Sequence, residues 1–278
     1  MVKLGKVYYK EGITLPNEFK NKFQELKQRL VDYEYFSSEA VTVNVQNQPI
    51  QFIVYRFNLN KDILDNAIEL AMKKSNFTMD YDQAGNKRPK SIKLANQTKG
   101  ILAEIGVQLI LEEILKCKSV KRWDLERETF KYLLAEYDVK FEYGGNDYLC
   151  ESRSSTSYKT SLGEFIERYH IIGPYISKQK HSENNNDFYF RPVFQYINYN
   201  KKWSTLPYEK KTSVLEDLDS GELQLYFVSG ATLDEMYSNN SEIGNNAQQG
   251  TKYRQIRMIY TGDVQVFLNN IVNIVKNR

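Results

Sequence analysis

The residues best placed to do chemistry are carboxylates in the middle of the chain. Glu104 falls in a helix-like stretch, Gly100 to Lys116. At about 100° per residue its neighbours on the wheel are Ile101, Val107, Leu111 and Leu115. The stretch is apolar nearly all round, which predicts a buried helix with Glu104 inside an apolar face. A buried carboxylate is costly unless a cation, a proton or a hydrogen-bond network satisfies it. The plainer alternative is an edge glutamate satisfied by a nearby Lys or Tyr.

Asp138, Lys140, Glu151 and Arg153 lie on two strand-like runs, Glu136 to Tyr143 and Asp147 to Arg153, around Gly144-Gly145-Asn146. A turn at Gly144-Gly145 sets Asp138 opposite Glu151. A turn at Gly145-Asn146 instead sets Asp138 opposite Arg153 and Lys140 opposite Glu151. In either register the four share one sheet face, whereas a three-residue loop would part Asp138 from Glu151. The plain meaning is a solvated strand face with cross-strand ion pairs. The chemical meaning starts from Glu151, which ends a short apolar run before the polar string Ser152 to Lys159. Carboxylates at a strand end suit magnesium, which keeps waters and accepts phosphate oxygens. Such an ion activates water for phosphodiester hydrolysis, and a nearby Lys or Arg offsets charge on phosphorus.

Other elements must position these groups. Helical spacing covers Asn17 to Phe36 and Asp62 to Lys74, and alternation around Asn47-Gln48-Pro49 predicts a hairpin of Val41 to Val45 with Ile50 to Phe57. A helix is expected over Leu162 to His170, strands at Phe188 to Ile197 and Leu223 to Val228, a short helix near Leu215 between them, and a last helix over Val264 to Val275. Asn184 to Asn186 and Ser238 to Gly250 read as exposed loops. This order predicts an α/β (α+β) fold, a mixed central sheet flanked by helices. Residues 1–86 would form an N-terminal recognition or dimerisation region, 87–230 the core, and 231–278 a C-terminal loop and helix packed on it.

Length and composition, 278 residues with 41% apolar and 26% charged, suit a globular chain. The net charge of +3 is too small to mark a nucleic-acid protein, so local clusters must carry that argument. Two cysteines, Cys117 and Cys150, and two histidines, His170 and His181, exclude a zinc framework and a His-rich metal site. Cys150 reads as a packing residue. No apolar run approaches the roughly 20 residues of a membrane span, and Met1 to Lys10 lacks a secretory core, so a cytoplasmic protein without membrane contact is expected. Walker, dinucleotide and Gly-x-Ser-x-Gly motifs are missing, and no organic cofactor is expected.

The helix acid Glu104 in Lys99-Gly-Ile-Leu-Ala-Glu104, then Asp138 on a strand, then Glu151-Ser-Arg153 on the next, resembles the PD-(D/E)XK nucleases, to which many type II restriction endonucleases belong. The resemblance spans roughly Lys99 to Val228. It implies a restriction-endonuclease-like core in which Mg2+ is bound by Asp138 and Glu151, assisted by Glu104. Arg153 stands where the family usually has Lys, and Tyr137 where it has Pro. Arginine stays protonated and stabilises charge but accepts a proton poorly, so Lys140 or Lys159 could supply the ammonium. The implied activity is site-specific hydrolysis of double-stranded DNA by a homodimer, leaving a 5′-phosphate. Lys87, Arg88, Lys90 and Lys93 would track the backbone. Ser154, Ser155 and Lys159 would hold the scissile strand, and Gln249, Lys252, Arg254 and Arg257 would reach base edges or phosphates. A non-catalytic DNA-binding protein with a nuclease fold, and an RNA-processing or DNA-repair nuclease, are the alternatives.

Overall fold

A strand with apolar residues on both of its faces needs a partner on each. The run Phe188 to Tyr196 meets that need in the computed structural model, which describes residues 8–10, 13–14, 30–45, 48–77, 87–127, 129–130, 137–176, 185–246 and 251–277. A small ribbon, β1 (Tyr8–Lys10) with β2 (Ile13–Thr14), precedes the hairpin β3 (Phe36–Val45) and β4 (Gln48–Phe57). Helix α1 (Lys61–Ser75) follows, its first turn capped where Ile63 N donates to the Asn60 side chain. Helix α2 (Lys90–Leu109) runs into a π turn (Ile110–Ile114). Next come β5 (Lys118–Arg122), the single turn α3 (Trp123–Glu126), β6 (Val139–Tyr143), β7 (Asn146–Ser152), β8 (Ser155–Ser157) and α4 (Leu162–Arg168). The chain continues through β9 (His170–Tyr175), β10 (Phe188–Tyr196), α5 (Tyr208–Thr212), α6 (Val214–Asp219), β11 (Leu223–Thr232) and α7 (Leu233–Met236). It closes with β12 (Ser241–Asn246), β13 (Thr251–Arg257), α8 (Met258–Thr261) and α9 (Val264–Asn277).

The central sheet has the order β3-β4-β11-β10-β7-β6-β5, with β8 also on β10. Strand β10 runs parallel to β7 and β8, and the remaining pairs are antiparallel. This is the mixed, helix-flanked sheet that the element order predicts. Along β10, Phe188, Phe190, Phe194 and Tyr196 join one core with Leu64 of α1, Ile101 and Leu102 of α2, and Phe267 and Ile271 of α9. Tyr189 and Val193 face the opposite core, with Phe165 and Ile166 of α4, Ile171 of β9 and Ile256 of β13. The alternation of β4 divides the same way, so the hairpin of residues 36–57 forms two strands of the central sheet. Helix α2 lies close on the sheet at Gly106, where a Cβ would collide with the Phe227 ring.

Several local expectations are corrected. Helix α2 begins at Lys90, earlier than the expected Gly100, because Ala95 and Thr98 extend the buried stripe of Ile101 and Leu102; of its lysines Lys90 is exposed, Lys99 half-buried and Lys93 buried. The stretch Ser238 to Gly250 is not wholly loop, since Ser241–Asn246 pairs with β13, and β13 pairs with β9, as a separate three-stranded sheet. Backbone pairing supplies there what side-chain alternation did not signal. His170 opens β9 rather than closing a helix. The expected helix over Asn17 to Phe36 lies mostly outside the described residues, as does Glu136. Among the described residues no helix is long and apolar enough to cross a membrane.

Candidate active site

The β6–β7 hairpin takes the first of the two open registers. Val139 pairs with Cys150 and Tyr143 with Asn146, leaving Gly144-Gly145 as the turn. Both glycines have positive φ, +61° and +82°, the backbone that a tight type I′ turn requires and that side chains resist. Val139, Phe141, Tyr148 and Cys150 enter the core, so the intervening residues face the other way. Asp138, just before β6, is held by backbone bonds across the hairpin. Its N–H donates to Cys150 O (3.3 Å), and its Oδ2 accepts from Ser152 N (2.7 Å).

Asp138 and Glu104 line one cavity of about 210 Å³, bounded by the end of α1, by α2, by α3 and by the segment before β6. Lys74 and Asp124 line it too, with Phe77, Trp123, Phe130 and Tyr137 among its walls. Lys74 Nζ stands 2.5 Å from Asp124 Oδ2 and 3.9 Å from Glu104 Oε1, and Arg127 pairs with the other Asp124 oxygen at 2.5 Å. Asp124 is therefore a bridge that positions the lysine. Trp123 carries a buried indole N–H that has no hydrogen-bond partner among the described residues.

The charges in this cavity perturb one another. Burial pushes the Glu104 carboxyl up to about 7, against the attraction of Lys74, and Asp124 and Glu151 add repulsion. Asp138 is raised well above the ordinary aspartate value by the crowding of protein around its carboxylate, then by Glu151 and Glu104. Burial alone would lower Lys74, but Glu104, Asp124 and Asp138 outweigh it and hold the ammonium above its usual value. Two acids poised to share a proton or a cation thus face one firmly charged lysine.

The other expected site residues are placed differently. Glu151 does not line the cavity; its oxygens accept from Arg153 Nε (3.0 Å) and Asn186 Nδ2 (3.1 Å). Among the described residues no three His, Cys, Asp or Glu side chains form a metal-binding group. Arg153 stacks on the Tyr175 ring, 4.2 Å from its centre, and Lys140 pairs with Asp147 at 3.2 Å. Neither Arg153, Lys140 nor half-buried Lys159 lines the cavity. Lys74 and Asp124 escape a reading of the sequence because each looks like an ordinary charge, one in the last turn of an amphipathic helix and one in a mixed-charge stretch. Only the packing of α1 against α2, α3 and the segment before β6 gives Lys74 its neighbours.

The basic residues divide as well. Lys90 and Lys93 line a surface depression beside the end of α1, whereas Lys87 and Arg88 line a different cavity on the far flank of α2. Ser155 accepts a hydrogen bond from Arg191, and Ser154 is half-buried beside it. Lys252 is exposed on β13. Arg254 stacks on Tyr237, and Arg257 donates to Glu167 O, so both brace their sheet against neighbouring elements. Gln248 and Gln249 lie outside the described residues. Cys150 is a buried free thiol within the core.

An uncharacterized protein of Methanocaldococcus jannaschii is similar to this chain, 27% identical over 247 residues that cover 82% of this chain and 87% of the relative. No family model matches the chain. No solved structure matches it either.

Proposed function

We propose that this protein is a magnesium-dependent phosphodiester hydrolase that cuts double-stranded DNA. The observation that carries the reading is the shared cavity of Glu104 and Asp138, two carboxylates from separate elements facing Lys74. Magnesium is commonly held through one or two protein carboxylates, with waters and phosphate oxygens completing its shell, so this donor set fits the ion and Glu104 and Asp138 would hold it. When bound, the ion supplies activated water and charge stabilisation at the leaving oxygen.

The chain's own groups do the remaining work. Lys74 offsets charge that develops on the phosphoryl oxygens, the role for which the motif usually provides a lysine. Asp124, tied to Arg127, keeps Lys74 in place. The Ser152 amide fixes the Asp138 carboxylate, and Arg153 and Asn186 fix Glu151 as a neighbouring negative charge. The indole N–H of Trp123 adds a donor suited to a phosphate oxygen. The finer reading, a type II restriction enzyme cutting palindromic sites as a homodimer, draws on the resemblance to the PD-(D/E)XK nucleases and on the match between protein and site symmetry.

Incubation of unmethylated DNA with the protein in Mg2+ or EDTA tests this. Discrete fragments in Mg2+ alone are expected. Binding without cutting would instead select a nuclease fold retained for DNA binding, and smeared products or cutting confined to RNA or damaged duplex would select a processing or repair nuclease. A protein that neither cuts nor binds nucleic acid sinks the reading.

A further inference from the structure

A second cavity lies on the opposite flank of α2. Asn96 and Lys99 project there, whereas Gln97 and Glu104 project to the carboxylate cavity, as the helical angle requires. The second cavity has a volume of about 470 Å³ and is walled by the segment before α2, by β8, by α5 and by α6. Its lining includes Lys87, Arg88, Lys99 and Lys211 and, among the described residues, no acidic one. Among the described residues none of these four has an ion pair with a carboxylate.

Lys99 is what separates this cluster from a solvated basic face. It is half-buried, its ammonium donates to Thr156 Oγ1 at 2.9 Å, and it lies 6.0 Å from the centre of the Phe194 ring. Burial pushes it down to about 8, and among the described residues no neighbouring charge opposes that shift. The other charged groups facing the cavity are Lys87 and Arg88 from the preceding segment and Lys211 from α5; β8 brings only the Thr156 hydroxyl. An enclosed lysine without a counter-charge destabilises a fold unless an anion completes it.

We propose that this cavity is a phosphate site. Guanidinium, ammonium and hydroxyl donors surround one space, which suits the several acceptor oxygens and double charge of a phosphate group better than a single carboxylate. Tyr158 and Leu206 give it an apolar wall for whatever the phosphate is attached to. The site goes beyond the hydrolase reading and needs no divalent ion. Its phosphate could come from the phosphorylated end of a polynucleotide or from free inorganic phosphate.

Calorimetric titration in EDTA at constant ionic strength tests the site, with inorganic phosphate against chloride, and with 5′-phosphorylated against 5′-hydroxyl oligonucleotides of one sequence. Phosphate binding is expected in the natural protein. Lys99→Met should weaken it about tenfold or more, the cost of one charge-assisted hydrogen bond. Lys87→Ala and Lys211→Ala, changes at the rim, should each weaken it less and keep the test open if Lys99→Met fails to fold. Glu104→Gln should leave it unchanged, so loss of cleavage and loss of phosphate binding are separable. A 5′-phosphate preference that disappears in Lys99→Met identifies a polynucleotide end as the source, and binding of inorganic phosphate without that preference identifies the free anion. The proposal is overturned if the natural protein binds no phosphate, or if folded Lys99→Met, or the two rim variants together, bind it as well as the natural protein.

Discussion

Lys74 stands 3.9 Å from Glu104, a cation in the last turn of α1 facing an acid in the buried stripe of α2. Each makes the other affordable. Glu104 is 7% exposed and would be a heavy burden beside apolar neighbours alone. The lysine stays charged because three carboxylates surround it.

Replacing that lysine should therefore be costly twice over. Lys74→Met should lower cleavage about 10²- to 10³-fold, the scale of losing one preorganised charge at a reacting centre. It should also destabilise the fold by about 1–3 kcal/mol, because Asp124 and Glu104 each lose a close cation. The double variant Lys74→Met/Asp124→Asn should regain none of the activity. Denaturant melts and initial cleavage rates on the three variants check this; recovery of cutting in the double variant would remove Lys74 from the chemistry.

Glu104→Gln and Asp138→Asn should each reduce cleavage by about 10²-fold or more, since each removes a cation ligand or proton carrier. Neither should lower the melting temperature at pH 8. Both acids are held uncomfortably as anions in the folded protein, and an amide relieves that strain while keeping the shape. Parallel melting and cleavage curves are the measurement, and a fall in both together would assign these residues to structure.

Arg153→Ala and Lys140→Ala should change cleavage by less than about tenfold, well short of the effect at Lys74. Their charged groups are engaged with Glu151 and Asp147, away from the cavity. Lys159→Ala should behave likewise. A loss at Arg153 as large as that at Lys74 would return the cationic role to the hairpin.

Stability without divalent cations should depend on pH through Glu104. Its folded value of about 7 exceeds the ordinary 4.5, so between these values the folded protein binds more protons than the unfolded chain. Stability should then fall as pH rises from about 4.5 to about 7, and Asp138 adds to the same trend. Glu104→Gln should flatten the slope. Urea melts across this range decide it, and a slope unchanged in the variant would place the titration elsewhere.

Much of the frame is legible in the chain itself. Period-two patterns mark β3 with β4 and β6 with β7, and largely apolar runs mark β10 and β11, because burial on one or both faces leaves a local trace. The wheel around Glu104 shows an acid among apolar neighbours, and Gly144-Gly145-Asn146 marks the turn and leaves a few registers open, one of which the protein adopts. What could not be read was company. Lys74, Asp124 and the basic cavity behind α2 depend on contacts between residues up to fifty or more positions apart, and a lysine destined for a shared pocket carries the same local pattern as one facing water. Side-chain periodicity records which face of an element is covered; it carries no information about which charge another element will bring to that face, and that was decided only when α1, α2 and α3 packed together.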